Sequence, residues 1–161
     1  MRALNWLQRG ANAIGGGLFI ALFLVFIIQI TARFGFNRPL PWTDEAAVVL
    51  YVWVILWAAA LIVPEREHVV FDLLWNHASL RGRQAMAIAG NLLVGGLALV
   101  GLPATWDYVH FMQREGTPVL GLPFMWVFMP LVLLMAALVV RSAWAIWRAA
   151  HGQGLDAELR I

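Results

Sequence analysis

The chain has 161 residues, of which 62% are hydrophobic and only 12% are charged, with a formal net charge of +2 and a mean hydropathy of +0.77. Soluble domains average about 45–50% apolar and about 25% charged residues, so this chain has too few charges to cover a water-facing surface. The absence of cysteine excludes disulfides, cysteine-ligated iron–sulfur clusters and thiol catalysis.

Four long stretches carry no charged residue, and they occupy residues 10–32, 46–64, 84–106 and 116–140. About 20 helical residues cross a hydrocarbon core of about 30 Å, and a lipid-exposed backbone must satisfy its own hydrogen bonds. The sequence therefore predicts an all-α membrane protein. We expect a single domain over residues 1–161, with spans at roughly 11–32, 45–63, 85–105 and 123–145.

The first predicted span begins like a signal peptide, with Arg2 and Arg9 ahead of an apolar run. That run is too long for a signal core and ends without an Ala-x-Ala-like cleavage site, which favours a permanent span. Within it, Ala13, Gly17 and Ala21 recur every four residues, a spacing of small side chains that lets another helix approach closely. They are candidates for a subunit interface, although many membrane helices are rich in glycine without forming one.

A proline-rich connection precedes the second span. Pro39 and Pro41 exclude a regular helix over residues 33–42. Thr43 is predicted as the N-cap of the second helix, which places Glu45 in the first turn, where a carboxylate favours the helix dipole. Its alternative role is a contact to a partner at the outer membrane face.

Three tryptophans belong to the second helix. Trp42 lies at its outer boundary, as is typical of the aromatic belt of a membrane protein. Trp53 and Trp57 are four residues apart and share one face. This face is predicted to pack against protein and is a candidate subunit contact.

The segment after the second span concentrates charge that the spans lack. Polar side chains recur three or four residues apart at Glu65, His68, Asp72, Asn76, Ser79 and Arg83. The pattern predicts an amphipathic helix over roughly 66–82 that lies in the membrane interface, in which His68 and Asp72 can pair. An ordinary solvated loop helix is the alternative.

The last two spans contain few polar or helix-breaking residues. Asn91 is predicted to bond to a neighbouring helix, and Asp107 and Arg114 belong to a short polar extension beyond the third span. Pro130 lacks the N–H that would reach the carbonyl of Trp126, so the fourth helix is predicted to kink.

The distribution of arginine predicts the orientation. With a cytoplasmic N-terminus, eight arginines fall in inner segments and three, Arg33, Arg38 and Arg114, fall in outer segments. This asymmetry predicts that both termini are cytoplasmic. The positive charge therefore reflects membrane topology and gives no indication of nucleic-acid binding.

Patterns that carry catalysis or metal binding are missing from the sequence. All four histidines lie outside the middle of the spans, and no HExxH motif, Gly-rich phosphate loop or nucleophile elbow is present. No ionisable residue lies at the centre of a span, where proton and ion pathways usually carry one. We therefore predict no catalytic residue, no metal and no cofactor.

Three stretches resemble the small membrane subunit of tripartite ATP-independent periplasmic (TRAP) transporters, the DctQ-like small permease family. The opening of the second span has Trp42 and Glu45 as Trp-x-x-Glu, and EREHVVFDLL has His68 and Asp72 as His-x-x-x-Asp. The loop and fourth span resemble the family at Pro118, Leu120, Pro123 and Pro130. The resemblance covers roughly residues 10–148, and it departs from the family at AAALIVPERE, where Pro64 and two acids follow the second span.

The resemblance implies a scaffold subunit in the bacterial inner membrane. Its partners would be membrane lipids, a large subunit that carries sodium and an organic acid, and a periplasmic protein that captures the substrate. Candidates for docking that protein are the charged residues of the outer segments, Arg33, Arg38, Asp44, Glu45, Asp107 and Arg114. The interfacial helix with His68 and Asp72 would anchor the subunit.

Two other functions compete with this hypothesis. A four-span enzyme that uses glutathione would need clustered Arg and Tyr, but the only tyrosines are Tyr51 and Tyr108. A small self-assembling channel or exporter would need a polar stripe along a span, for which Gln29 and Asn91 are too few.

Overall fold

The computed structural model describes residues 2–62 and 79–151. Helix α1 spans Arg2–Ile30 and continues into a π-helical turn at Thr31–Gly35, and helix α2 spans Pro41–Trp57 with a π-helical turn at Ala58–Ile62. Helix α3 spans Leu80–Phe111 and ends in a 3-10 turn at Met112–Arg114, and helix α4 spans Phe124–Ala150.

Each of these four helices is long and apolar enough to cross a membrane. The prediction of four spans in an all-helical chain is therefore confirmed for the described residues. The observed helices extend beyond the predicted hydrophobic limits: α1 begins at Arg2, and α4 ends at Ala150. The thickness of the hydrocarbon core sets the length of the apolar run, but the helix itself can continue into the headgroup region.

The predicted interfacial helix falls mostly outside the described residues. Residues 66–78, with His68 and Asp72, are not among them. The last part of the predicted range, from Leu80 on, belongs to α3.

Helix α2 begins two residues before the predicted N-cap, so that prediction was wrong. Pro41 is the first helical residue and Leu40 takes the cap position. Proline suits this place because its ring presets a helical φ and its missing N–H would have no partner in the helix. Thr43 is fully buried inside the first turn, and its hydroxyl donates to the Leu40 carbonyl at 2.6 Å.

Contacts divide the chain into two compact units. The first comprises Met1–Val63 and Thr105–Leu134, and the second comprises Pro64–Ala104 and Met135–Ile161. Helices α3 and α4 each contribute to both units.

In the first unit, α1 and α2 approach closely at Gly15. A Cβ atom at this glycine would lie 2.5 Å from Ile62 Cδ1 and 3.3 Å from Trp57 Cδ1. The indole N–H of Trp57 donates to the backbone carbonyl of Ala11 at 3.0 Å. The side facing α2 therefore holds Gly15, which is buried, and not the ridge that begins at Ala13, which is exposed.

A second hydrogen bond in the first unit compensates for the proline in α4. Pro130 is fully buried and cannot donate to the carbonyl of Trp126 four residues earlier. The indole N–H of Trp53 donates to this carbonyl at 3.1 Å. Because an unpaired carbonyl is costly in hydrocarbon, this indole stabilises the helix that the proline interrupts.

In the second unit, α3 and α4 pack through small residues. A Cβ atom at Gly95 would lie 2.5 Å from the Cβ of Ser142, which is itself buried. Near the end of α4, the amide of Gln84 donates to the carbonyl of Ala149 at 2.7 Å. This bond satisfies one of the carbonyls that a helix leaves free in its last turn.

The prediction that Asn91 bonds to a neighbouring helix was wrong. Its side-chain amide donates to the Ala87 carbonyl of its own helix at 2.9 Å. A carbonyl one turn away is always within reach of a short polar side chain, so this bond needs no neighbour.

We expect Gly95→Ala to lower the stability of the protein by about 1–3 kcal/mol, because the new methyl group overpacks against Ser142. Thermal unfolding of the purified protein in mild detergent measures the effect. Gly96→Ala is the control, since a Cβ there meets nothing within 4 Å and alanine favours the helix. Equal melting temperatures for the two variants would contradict the close contact.

We expect Trp53→Phe to cost about 1–3 kcal/mol, because it keeps a ring but leaves the Trp126 carbonyl unpaired. In a Pro130→Ala background, the backbone of the introduced alanine supplies the missing N–H, so the same change should cost less. A double-mutant cycle from detergent unfolding measures this coupling. The exposed Trp106, changed to Phe, is the control, and an equal cost of Trp53→Phe in both backgrounds would exclude the proposed pairing.

Candidate functional site

The predicted docking residues all belong to the first unit. Arg33 belongs to the turn after α1, Arg38 to the connection before α2, and Arg114 to the 3-10 turn after α3. All three are exposed, as is Asp107 near the end of α3. The same unit contains Asp44 and Glu45 in the first turns of α2.

Glu45 holds the connection between α3 and α4. One oxygen of its carboxylate accepts the backbone N–H of Val119 at 2.8 Å and that of Leu120 at 3.2 Å. Its other oxygen lies 3.3 Å from the same Leu120 nitrogen, and the Thr117 hydroxyl donates to the carboxylate as well. Hydrogen bonds to an ionised acceptor are about twice as strong as neutral ones, so Glu45 fixes this connection on the start of α2.

The connection is also closed by its own backbone. The N–H of Thr117 donates to the Leu122 carbonyl at 2.9 Å, and the N–H of Gly121 donates to the Thr117 carbonyl at 3.0 Å. Gly121 has a φ of 65°, in the left-handed region that side chains other than Gly and Asn disfavour. The turn therefore presents the amides of Val119 and Leu120 together, and Glu45 binds both.

Asp44, the neighbour of Glu45, faces a different side of α2. It is exposed, and the amide of Gln29 in α1 donates to its carboxylate. Consecutive helical residues point about 100° apart, so one acid binds the loop and the other borders α1.

The predicted interface residues separate into two groups. Ala13 and Gly17 are exposed and Ala21 is half-buried, so the ridge is directed away from α2. Trp53 and Trp57 are half-buried and use their indole N–H groups on backbone carbonyls of the same chain. Trp42 is 38% exposed.

The arrangement offers binding surfaces, and no catalytic constellation stands out among the described residues. Within residues 2–62 and 79–151, no group of three His, Cys, Asp or Glu could hold a metal ion. His110 stacks beside Trp106, with ring centroids 6.4 Å apart.

Sequence reasoning missed the partners of the two acids. The amides of Val119 and Leu120 come from a loop more than 70 residues away, and a backbone amide leaves no mark in the sequence. Gln29 does carry a signal in the sequence. It is a polar residue in an apolar run, and such a residue usually bonds to another helix.

The family profile and the individual relatives that match this chain all belong to one class of transporter. The sequence profile of the DctQ component of tripartite ATP-independent periplasmic transporters matches residues 22–152. Over 73 residues the chain is 43% identical to the sialic acid TRAP transporter permease protein SiaT of Haemophilus influenzae, a match that covers 45% of this chain and 12% of that protein.

Two further relatives are small permeases. The chain is 27% identical over 90 residues to the C4-dicarboxylate TRAP transporter small permease protein DctQ of Vibrio cholerae, which covers 56% of this chain and 39% of that protein. It is 20% identical over 124 residues to a Haemophilus influenzae protein named as a TRAP transporter small permease. That match covers 76% of this chain and 77% of that protein. The matches thus span 12% and 39% of the first two relatives. All three relatives are transport components, which confirms that the chain is not an enzyme.

We expect Glu45→Ala to release the connection between α3 and α4, because it removes the acceptor of the Val119 and Leu120 amides. Hydrogen exchange of peptides that contain residues 117–122 should become several-fold faster in detergent, while peptides from the middle of α1 keep their rates. Glu115→Ala removes an exposed acid of the same connection and is the control. Unchanged exchange in Glu45→Ala would show that the loop is held without this carboxylate.

Proposed function

The chain belongs to the family of DctQ components of tripartite ATP-independent periplasmic transporters, and we propose that it is the static scaffold of such a transporter. As a small permease of this family it is a multi-pass protein of the inner membrane. In our proposal it packs beside a large membrane subunit, widens it and anchors it in the bilayer while the transport domain moves.

The match to SiaT carries this proposal. The similar segment makes up 12% of that permease, so in SiaT it is joined to a much longer remainder. Joining two parts in one chain gives them a high effective concentration for each other. This favours a chain that works next to a larger membrane protein.

The large exposed apolar surface of the helices favours a partner in the membrane. Within the described helices, 6–11% of the most apolar stretch of each is buried inside the chain. Large side chains such as Phe23 on α1 and Leu97 and Val100 on α3 are 57%, 69% and 78% exposed. Lipid or another subunit must cover such surfaces, and a scaffold uses part of them for the large subunit.

We propose that the substrate is an organic acid and that its transport is coupled to sodium. Two of the relatives are named for acids, sialic acid and C4-dicarboxylate. We assign the substrate and sodium sites to the large subunit, because no Asp, Glu, Lys, Arg or His lies at the centre of a span in this chain, where such pathways usually place one.

We propose that the segments with Arg33, Arg38, Asp107 and Arg114 face the periplasm and help to dock the binding protein. The excess of arginine in the other segments favours this orientation, with both termini in the cytoplasm. A loop fixed by Glu45 would give the docking surface a defined shape, and exposed charges of both signs would set its partner and orientation.

Co-purification tests the scaffold role. The tagged chain is expressed with its genomic neighbours, extracted in mild detergent, and the eluted proteins are identified by mass spectrometry. We expect a stoichiometric large protein with many spans, which stays bound through size-exclusion chromatography. Elution of the chain alone as a homo-oligomer, with the neighbours expressed but unbound, would overturn the proposal and favour a channel.

A further inference from the structure

A small pocket lies between α1 and α2 near the predicted outer end. It has a volume of about 250 Å³ and is lined by Phe26, Gln29, Asp44, Ala47, Val48 and Tyr51. Pockets for drug-sized ligands measure about 300–1,000 Å³. This pocket is therefore too small for a whole ligand of that size and suits a single side chain.

The walls of the pocket are mostly apolar, and its mouth opens to the surface of the described chain. Phe26, Val48 and Tyr51 are 44%, 61% and 55% exposed, so the described chain leaves the mouth of the pocket uncovered. An aliphatic stem can lie against such walls, and the face of an aromatic ring attracts a cation.

One acid borders this apolar pocket. Asp44 is exposed, and the amide N–H of Gln29 donates to its carboxylate. The oxygen of the same amide is buried and has no hydrogen-bond partner within the described residues. Gln29 is thus turned toward Asp44 and acts as a positioning residue for the carboxylate.

Asp44 differs from the adjacent acid, Glu45, in its hydrogen-bond partners. The carboxylate of Glu45 is occupied by the amides of the loop between α3 and α4, whereas the described partner of Asp44 is one neutral amide. Asp44 lies in the first turn of α2, at the edge of the apolar pocket. A carboxylate with one neutral donor keeps acceptor capacity for a charged hydrogen bond to a cation.

We propose that this pocket receives a lysine or arginine side chain of the large membrane subunit. The aliphatic stem would lie along Phe26 and Val48, and the cationic head would reach Asp44, as long basic side chains do at apolar surfaces. This inference rests on the proposed scaffold role and identifies the surface between α1 and α2 as part of the subunit interface.

Site-specific cross-linking in the intact complex tests the pocket. A photoreactive phenylalanine derivative replaces Val48 in the tagged chain, which is co-expressed with its neighbours, irradiated and analysed by mass spectrometry. We expect a cross-link to a large-subunit peptide that contains Lys or Arg. The same derivative at Leu24 is the control, because Leu24 is similarly exposed on α1 but does not line the pocket; it should not label that peptide.

Charge variants test the chemistry. Asp44→Asn keeps an acceptor for Gln29 but removes the charge, so retention of the large subunit should fall about tenfold or more, as for other hydrogen-bonded charge pairs at interfaces. Glu115→Gln removes an exposed acid outside the pocket and should leave retention unchanged. Asp44→Lys should abolish retention, and changing the cross-linked basic residue to Glu should restore it.

The outcomes separate the pocket from the scaffold role. If the wild-type chain does not retain the large subunit, the proposed function itself fails. If it does, but Val48 labels only lipid or the binding protein, or Asp44→Asn retains the large subunit fully, then the pocket proposal is overturned and the scaffold role stands.

Discussion

The carbonyl of Trp126 illustrates the constraint on which this structure depends. In hydrocarbon no water is available to pair a backbone group, so a group released by a proline must find a partner in the protein. Pro130 releases this carbonyl, and the indole N–H of Trp53 binds it at 3.1 Å. The same kind of bond, from a long side chain to a backbone carbonyl, joins Trp57 to Ala11 and Gln84 to Ala149.

These bonds explain how helices with little burial stay together. Lipid removes the hydrophobic driving force between helices, so close packing and hydrogen bonds must hold them. Gly95 supplies a close approach, since a methyl group there would collide with the Cβ of Ser142, and Gly15 leaves room for the side chains of Trp57 and Ile62. Polar side chains then bond across the narrow gap. The remaining apolar surface stays available for lipid and for other subunits.

The two neighbouring acids at the start of α2 connect this packing to function. Glu45 is used within the chain and fixes the loop between α3 and α4. Asp44 is left at the outer surface beside an apolar pocket. In our proposal the chain performs no chemistry of its own and presents defined surfaces to its partners. In our proposals the fixed loop belongs to the periplasmic docking surface and the pocket belongs to the interface with the large subunit.

The sequence alone determined the class of the protein, because the length of a charge-free run is set by the thickness of the bilayer. Four such runs predicted four helices, and three short motifs indicated the family. The contacts could not be read in the same way. Lipid-facing and protein-facing sides of a membrane helix are both apolar, so the pattern of small residues favoured Ala13 and Gly17, whereas the chain packs on Gly15. The partners of Glu45 and Trp53 are backbone groups distant in sequence, and only the folded chain brings them within hydrogen-bonding distance.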